Sequence, residues 1–250
     1  MADTLPDFTI AICLYGNCDL LDVAGPNEVF TFFDASPIGR TCNLVSVGKT
    51  RDPLFGIGAL AVTPQCDFGD CPPVDLLFVP GGGADGLEAM LADEEWRDFL
   101  KAKAAEARYV ASVCTGGLLL AAAGLLDGYR ATTHWAVIDC LKLFEAVKVA
   151  DGYPRYLYDG NRFTGGGISS SIDLSLFMVE TIVAEMSGDP DSGRLASEQI
   201  QLQIQYHPQP PYPGGDPDSV DPALLEATRA KMQGFHDGVC AAVKSRIGHC

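Results

Sequence analysis

Apolar residues in this chain gather in short continuous runs, the pattern of strands buried on both faces of a parallel sheet. Phe8 to Tyr15, Cys42 to Val47, Val74 to Val79 and Tyr109 to Val113 are such runs. Shorter strands are predicted at Ala59 to Thr63, Tyr129 to Thr133 and Val147 to Val149. Asp93 to Ala107 opens on acids, continues with basic residues and is rich in helix formers, which predicts a surface helix. Tyr156 to Phe163 reads as a hairpin turning at Asp159-Gly160. Beyond it, an apolar helix is predicted from the serines at 169–171 to Glu185, a second over Leu195 to Tyr206, and a last from Asp221 to about Val243. The proline-rich stretch His207 to Gly215 reads as an extended surface linker. Residues 1–212 are therefore expected to form one α/β domain, and 213–250 a helical extension packed on it or on a partner chain.

Tyr109 to Val113 and the helix expected from Leu118 to Ala123 leave room only for a sharp turn, Cys114-Thr115-Gly116-Gly117. A cysteine at such an apex has the layout of a nucleophile elbow. The N–H groups and positive dipole end of the following helix would then favour its thiolate. After Phe8 to Tyr15 comes Asp22, in the segment leading into a helix whose first turn holds Pro26. That places the carboxylate near the C-terminal edge of the sheet, where sites form in such folds. The turn Gly81-Gly82-Gly83 follows another strand and is suited to presenting backbone N–H groups to an anionic intermediate. Gly81, Gly83 and Gly86 match the dinucleotide pattern GxGxxG only formally, because the next strand ends in Cys114 rather than a ribose-binding acid. Gly116, His134, Trp135 and Gly166 complete the expected pocket, with His134 readable either as a partner of Cys114 or as a core histidine.

Composition narrows the function classes. A net charge of −16 opposes contact with nucleic-acid phosphates or anionic lipid. The first seven residues lack the basic start of a signal peptide, and no apolar run reaches membrane-spanning length, so a cytoplasmic protein is expected. The nine cysteines are scattered without an even framework and read as reduced thiols. Cys66 and Cys71 form a lone pair and the four histidines show no HxxxH, so no metal site is expected.

Taken together, LLDVAGPNEVF, PGGG, ASVCTGGLLLAAAGLLDGYRATTHW, TGGGISSSIDLSL and EQIQLQIQYHPQPPY resemble the ThiJ/PfpI superfamily, and within it the isocyanide hydratases. The resemblance spans about residues 8–212. It implies a flavodoxin-like three-layer sandwich with a mostly parallel sheet, a homodimer, no cofactor and a small uncharged substrate. It also implies Cys114 as nucleophile, Asp22 as the acid contacting it and Thr115 as the residue after the nucleophile. Protease-like members carry histidine where this chain has Thr115, which weakens a peptidase reading. Ala24 stands where the hydratase pattern has threonine. AraC-type regulators resemble the chain over CTGGLLLAAAGLLDG and ATTHW, which leaves a ligand-sensing domain as the alternative. Another cysteine chemistry on the same scaffold, glyoxalase-like or peptidase-like, would need a basic group beside Cys114.

Overall fold

A computed structural model of the chain describes residues 7–247. In chain order the elements are β1 (Phe8–Cys13), α1 (Leu20–Thr31), β2 (Cys42–Val47), β3 (Leu54–Phe55), β4 (Ala61–Val62), β5 (Leu76–Val79), α2 (Ala84–Ala92), α3 (Glu94–Glu106) and β6 (Tyr109–Ser112). They continue with α4 (Gly116–Ala122), β7 (Arg130–Ala131), a 3-10 turn at Trp135–Val137, α5 (Ile138–Leu141), β8 (Lys148–Val149), β9 (Tyr156–Asp159) and β10 (Arg162–Gly165). Three helices close the chain: α6 (Ser170–Ser187), α7 (Pro190–Gln203) and α8 (Pro222–Ile247). Six strands form the central sheet in the order β2-β1-β5-β6-β10-β9, parallel throughout except for β9.

The unbroken apolar runs are explained by the helices on both faces of this sheet. Ala11, Cys13, Leu77, Val79 and Val110 point to one side, against Leu87, Leu100, Leu118, Leu141 and Val239. Their alternates Ile10, Ile12, Leu76, Phe78, Tyr109 and Ala111 point to the other, against Phe30, Phe163, Val179 and Ile200. With period-two side chains and two covered faces, the central strands are mostly apolar, and the polar residues they do hold, Thr9, Ser112 and Thr164, are buried. The result is the flavodoxin-like sandwich implied by the resemblance. A hairpin, β3 with β4, stands outside the sheet and exposes Phe55, Ile57 and Leu60.

Three local readings are corrected. Pro26 lies inside α1 rather than in its first turn, because Asp19 caps the helix earlier by accepting from the Leu21 N–H at 3.0 Å. Asp22 is consequently within the helix, and the missing Pro26 N–H removes the donor that its carbonyl would otherwise receive. Ala84–Ala92, unassigned from the sequence, is the helix α2, since the glycine turn before it is shorter than its composition implies. The cysteines are not all free: Cys140 on α5 and Cys240 on α8 form a disulfide, while Cys13, Cys18, Cys42, Cys66, Cys71 and Cys114 are thiols. Cys250 and residues 1–6 lie outside the described residues. α8 packs against α2, the 3-10 turn, α5 and α4, so the C-terminal helix lies on the domain itself.

On the second face Phe163 is fully buried, stacked on Tyr158 at 4.2 Å between centroids and flanked by Tyr109 and Phe177. Phe163→Ala is expected to lower unfolding free energy by about 3–5 kcal/mol, the usual cost of truncating a buried aromatic. Urea denaturation followed by circular dichroism measures it; a loss below about 1 kcal/mol would show that this cluster does not hold the sheet edge.

Candidate active site

β6 ends at Ser112, and two residues on the chain turns at Cys114 with φ of 54°, a left-handed conformation that a residue with a Cβ rarely adopts. The strain is held by the surroundings. The Cys114 N–H donates to the Gly166 carbonyl at 2.8 Å, and its own carbonyl accepts from Thr133 Oγ1 at 2.7 Å. The elbow is thus clamped by the loop after β10 on one side and by the segment before His134 on the other. α4 begins immediately afterwards, with Gly116 pressed so closely on the Val79 and Pro80 carbonyls that a Cβ would not fit. Gly116, expected as a pocket residue, is a packing glycine instead.

Asp22 reaches the same point from α1 and is fully buried. Its Oδ2 accepts from the Gly81 N–H at 2.9 Å, whereas its Oδ1 has no partner of ordinary hydrogen-bond geometry. Gly81 lets acid and thiol meet, since a Cβ there would lie 2.6 Å from Cys114 Cβ and 2.9 Å from Asp22 Oδ2. Burial pushes the Asp22 carboxyl well above its usual range, and Asp19 adds to the shift; the hydrogen bonds from Gly81 and Cys114 oppose it. Burial likewise raises the Cys114 thiol well above the ordinary range, reinforced by repulsion from Asp22 and opposed by the Thr115 N–H. The pair therefore holds on to its proton.

This overturns the expectation of a thiolate favoured by the helix end. α4 has seven residues, and its first N–H groups are already used: Gly116 donates to Val113 at 3.0 Å and Leu118 to Thr115 at 3.0 Å. Only the Thr115 N–H serves the sulfur, too little to offset burial beside a carboxylate. The glycine turn is corrected for the same reason. Gly81 donates to Asp22, Gly82 to Thr115 Oγ1 at 2.8 Å and Gly83 to the Asn17 carbonyl at 3.0 Å. None of the three N–H groups is left for an oxyanion. The turn instead fixes the acid and, through Thr115, the elbow; Thr115 Oγ1 also donates to the Gly82 carbonyl at 3.1 Å.

A cavity of about 810 Å³ opens beside the elbow, lined by Leu21, Thr133, His134, Trp135, Gly166 and Ile168 among others. Leu21 precedes Asp22, while Thr133 and Gly166 are the residues that clamp Cys114. The buried part of this wall is uncharged, but its exposed part carries Asp151, Arg155, Asp216 and Asp218. His134 Nδ1 accepts from the Ala136 N–H at 3.2 Å, and burial lowers the ring to a pKa of about 4. A neutral imidazole brings no cation to Cys114. The sequence did not signal Thr133, whose hydroxyl lies next to the elbow only because β7 leads back to it; Tyr15 was also missed, and its OH holds the Pro80 carbonyl at 3.0 Å ahead of the glycine turn.

Residues 9–181 match the DJ-1/PfpI family. The chain is 38% identical over 222 residues to the isonitrile hydratase of Pseudomonas putida, covering 89% of each. The crystal structure of a THiJ/PfpI family protein from Pseudomonas syringae superposes with a TM-score of 0.82 at 32% identity, covering 96% of this chain and 92% of that one. The HTH-type transcriptional regulator GbdR of Pseudomonas aeruginosa is 35% identical over 128 residues, half of this chain and 33% of the regulator.

If Asp22 raises the thiol by its charge, Asp22→Asn should bring the pH midpoint of Cys114 alkylation by iodoacetamide down toward the ordinary thiol range. Burial will keep it from falling fully to that range. Rates of modification followed by mass spectrometry across pH measure the midpoint; one that does not move would mean the two groups titrate independently.

Proposed function

This chain belongs to the DJ-1/PfpI family, and we propose that it is a lyase that hydrates isocyanides (isonitriles) to N-substituted formamides. The observation that carries the reading is the buried Asp22–Cys114 pair brought together at Gly81, where burial favours keeping a proton over full ionisation. An isocyanide carbon accepts a nucleophile and a proton at the same atom, and so asks for a thiol and an acid side by side. The near full-length likeness to an isonitrile hydratase supports the same chemistry.

In the proposed sequence Cys114 sulfur bonds to the terminal carbon while Asp22 protonates that carbon, giving a thioimidate, R–N=CH–S. That transfer uses the one proton the pair shared, so Asp22 is left as a carboxylate until the collapse step returns a proton to the pair. Water then adds to the thioimidate carbon, and collapse of the tetrahedral species breaks the C–S bond, releasing R–NH–CHO and the thiol. The Thr115 N–H stays beside the sulfur throughout and steadies the charge that appears on it. No residue need recognise charge in the substrate, in keeping with the uncharged inner wall and a small uncharged substrate. The reaction as written needs no cofactor or metal.

Catalysis is tested by incubating the purified protein with a small alkyl or aryl isocyanide and detecting the formamide by mass spectrometry. Cys114→Ala should abolish turnover, and Asp22→Asn should reduce it by ~10²–10⁴, the usual worth of a positioned general acid. Wild-type rates in Cys114→Ala would end the covalent route.

The protein is further proposed to act in the cytoplasm as a homodimer, without nucleic-acid or membrane partners; among the described residues no helix is long and apolar enough to cross a membrane. The exposed Phe55, Ile57 and Leu60 on the β3–β4 hairpin offer an apolar surface for a second copy. Light scattering should report a dimer, and Leu60→Asp should shift it toward monomer; an unchanged mass would place the interface elsewhere. The likeness to GbdR favours a second reading, a ligand-sensing domain. Salt-sensitive binding to a labelled duplex together with absence of formamide would select it, against the charge of −16.

A further inference from the structure

Where α5 and α8 pack together, they bring three ligand atoms into one cluster. Cys140 lies on α5, and His236 and Cys240 stand one helical turn apart on α8, an i, i+4 spacing that puts both on one face. Their two Sγ atoms and the imidazole nitrogen all fall within 4.8 Å of one another. His236 Nε2 faces Cys240 Sγ at 3.7 Å. On the other side of the ring, Nδ1 lies 3.1 Å from Asp237 Oδ1, which also accepts from Gln233 Nε2 at 2.8 Å. A carboxylate at Nδ1 holds the proton there and leaves the Nε2 lone pair directed at the sulfurs, the arrangement of a carboxylate–histidine–metal triad.

We propose that Cys140, His236 and Cys240 form a redox-gated site for a zinc-class divalent ion: a disulfide when oxidised, a two-thiolate, one-imidazole metal site when reduced. The inference stands apart from the proposed hydratase chemistry and uses none of its residues. Two thiolates and a neutral imidazole are a donor set suited to zinc, and three protein ligands leave a fourth position for water. A cavity of about 380 Å³ lined by Ile138, Asp139, Met232 and Gln233 reaches His236, one of the three ligands, and leaves room for a water beside it. On a tetrahedral ion the two sulfurs would sit roughly 3.8 Å apart, given Zn–S bonds of about 2.3 Å. Side-chain rotation provides that separation, with the two Cα atoms 5.1 Å apart.

The chemistry balances. A cellular dithiol breaks the S–S bond by exchange, passing two electrons to Cys140 and Cys240 and leaving as its own disulfide. Metal binding then displaces one proton from each protein thiol, so the ion replaces two protons and the site keeps two negative sulfurs. A reducing compartment, where thiol pools keep most cysteines open, is where the metal form would prevail.

Cobalt(II) serves as the probe, because its bonds to thiolate give a charge-transfer absorption that oxygen and nitrogen ligands do not. The full chain is reduced with a phosphine, which takes up the oxygen of one water as the disulfide becomes two thiols, then desalted and titrated without oxygen. One equivalent of cobalt should develop the thiolate band in reduced protein, and none in protein left oxidised. Cys140→Ser/Cys240→Ser, which removes both sulfur ligands, should lose the band. Asp237→Asn, an exposed change that does not threaten folding, should keep the band but weaken binding by ~10–100-fold, the usual effect of removing the group that orients a metal-binding histidine. Absence of a thiolate band in reduced protein would leave a plain disulfide and overturn the proposal. A band retained in Cys140→Ser/Cys240→Ser would assign the metal to other cysteines, such as Cys66 and Cys71, and overturn it equally.

Discussion

The structure depends on one constraint, that a carboxylate and a thiol are buried against each other with no cation among the described residues to neutralise them. Asp22 and Cys114 lie 92 positions apart in the chain, and each alone would be costly to desolvate in its charged form. Sharing a proton removes most of that cost. Much of the neighbourhood keeps the pair in contact: Gly81 has no side chain where one would wedge between them, and its N–H holds the acid. Thr115 and Gly82 exchange hydrogen bonds, and Thr133 and the Gly166 carbonyl clamp the strained elbow. Polar groups that look available for substrate are already engaged in holding the pair.

This explains which parts were legible in the sequence. The central strands were readable because burial on both faces forces continuous apolar runs. The elbow was readable because a strand and a helix four residues apart can be joined in few ways. Asp22 was placed correctly at the sheet edge, although its helix begins before Pro26, since a cap at Asp19 outweighs the preference of proline for a first turn. What the chain did not disclose was where hydrogen bonds end. The N–H groups of Gly81 to Gly83 looked free for an oxyanion, but their acceptors, Asp22, Thr115 and Asn17, come from elements distant in the sequence. The favoured thiolate failed likewise, because the effect of a helix end depends on whether its first donors are satisfied.

The disulfide was hidden for a related reason. Neither Cys140 nor Cys240 has a second cysteine nearby in the sequence, and their meeting requires α8 to fold back across α5 after a proline-rich excursion. His236 four residues before Cys240 was the one local sign, visible only if a mixed histidine–cysteine spacing is sought.

That same crosslink alters how the polypeptide is connected. With its ends 100 positions apart in the sequence, it converts β8, β9, β10, α6, α7 and the exposed stretch His207 to Gly215 into a single closed loop. In the chain-entropy view, a loop of that size restrains the unfolded ensemble by about 4.7 kcal/mol. A protease cutting within the loop would leave two fragments still covalently joined. Only after reduction could they part, so one bond far from the elbow governs whether a nick in the surface segment releases the last helix.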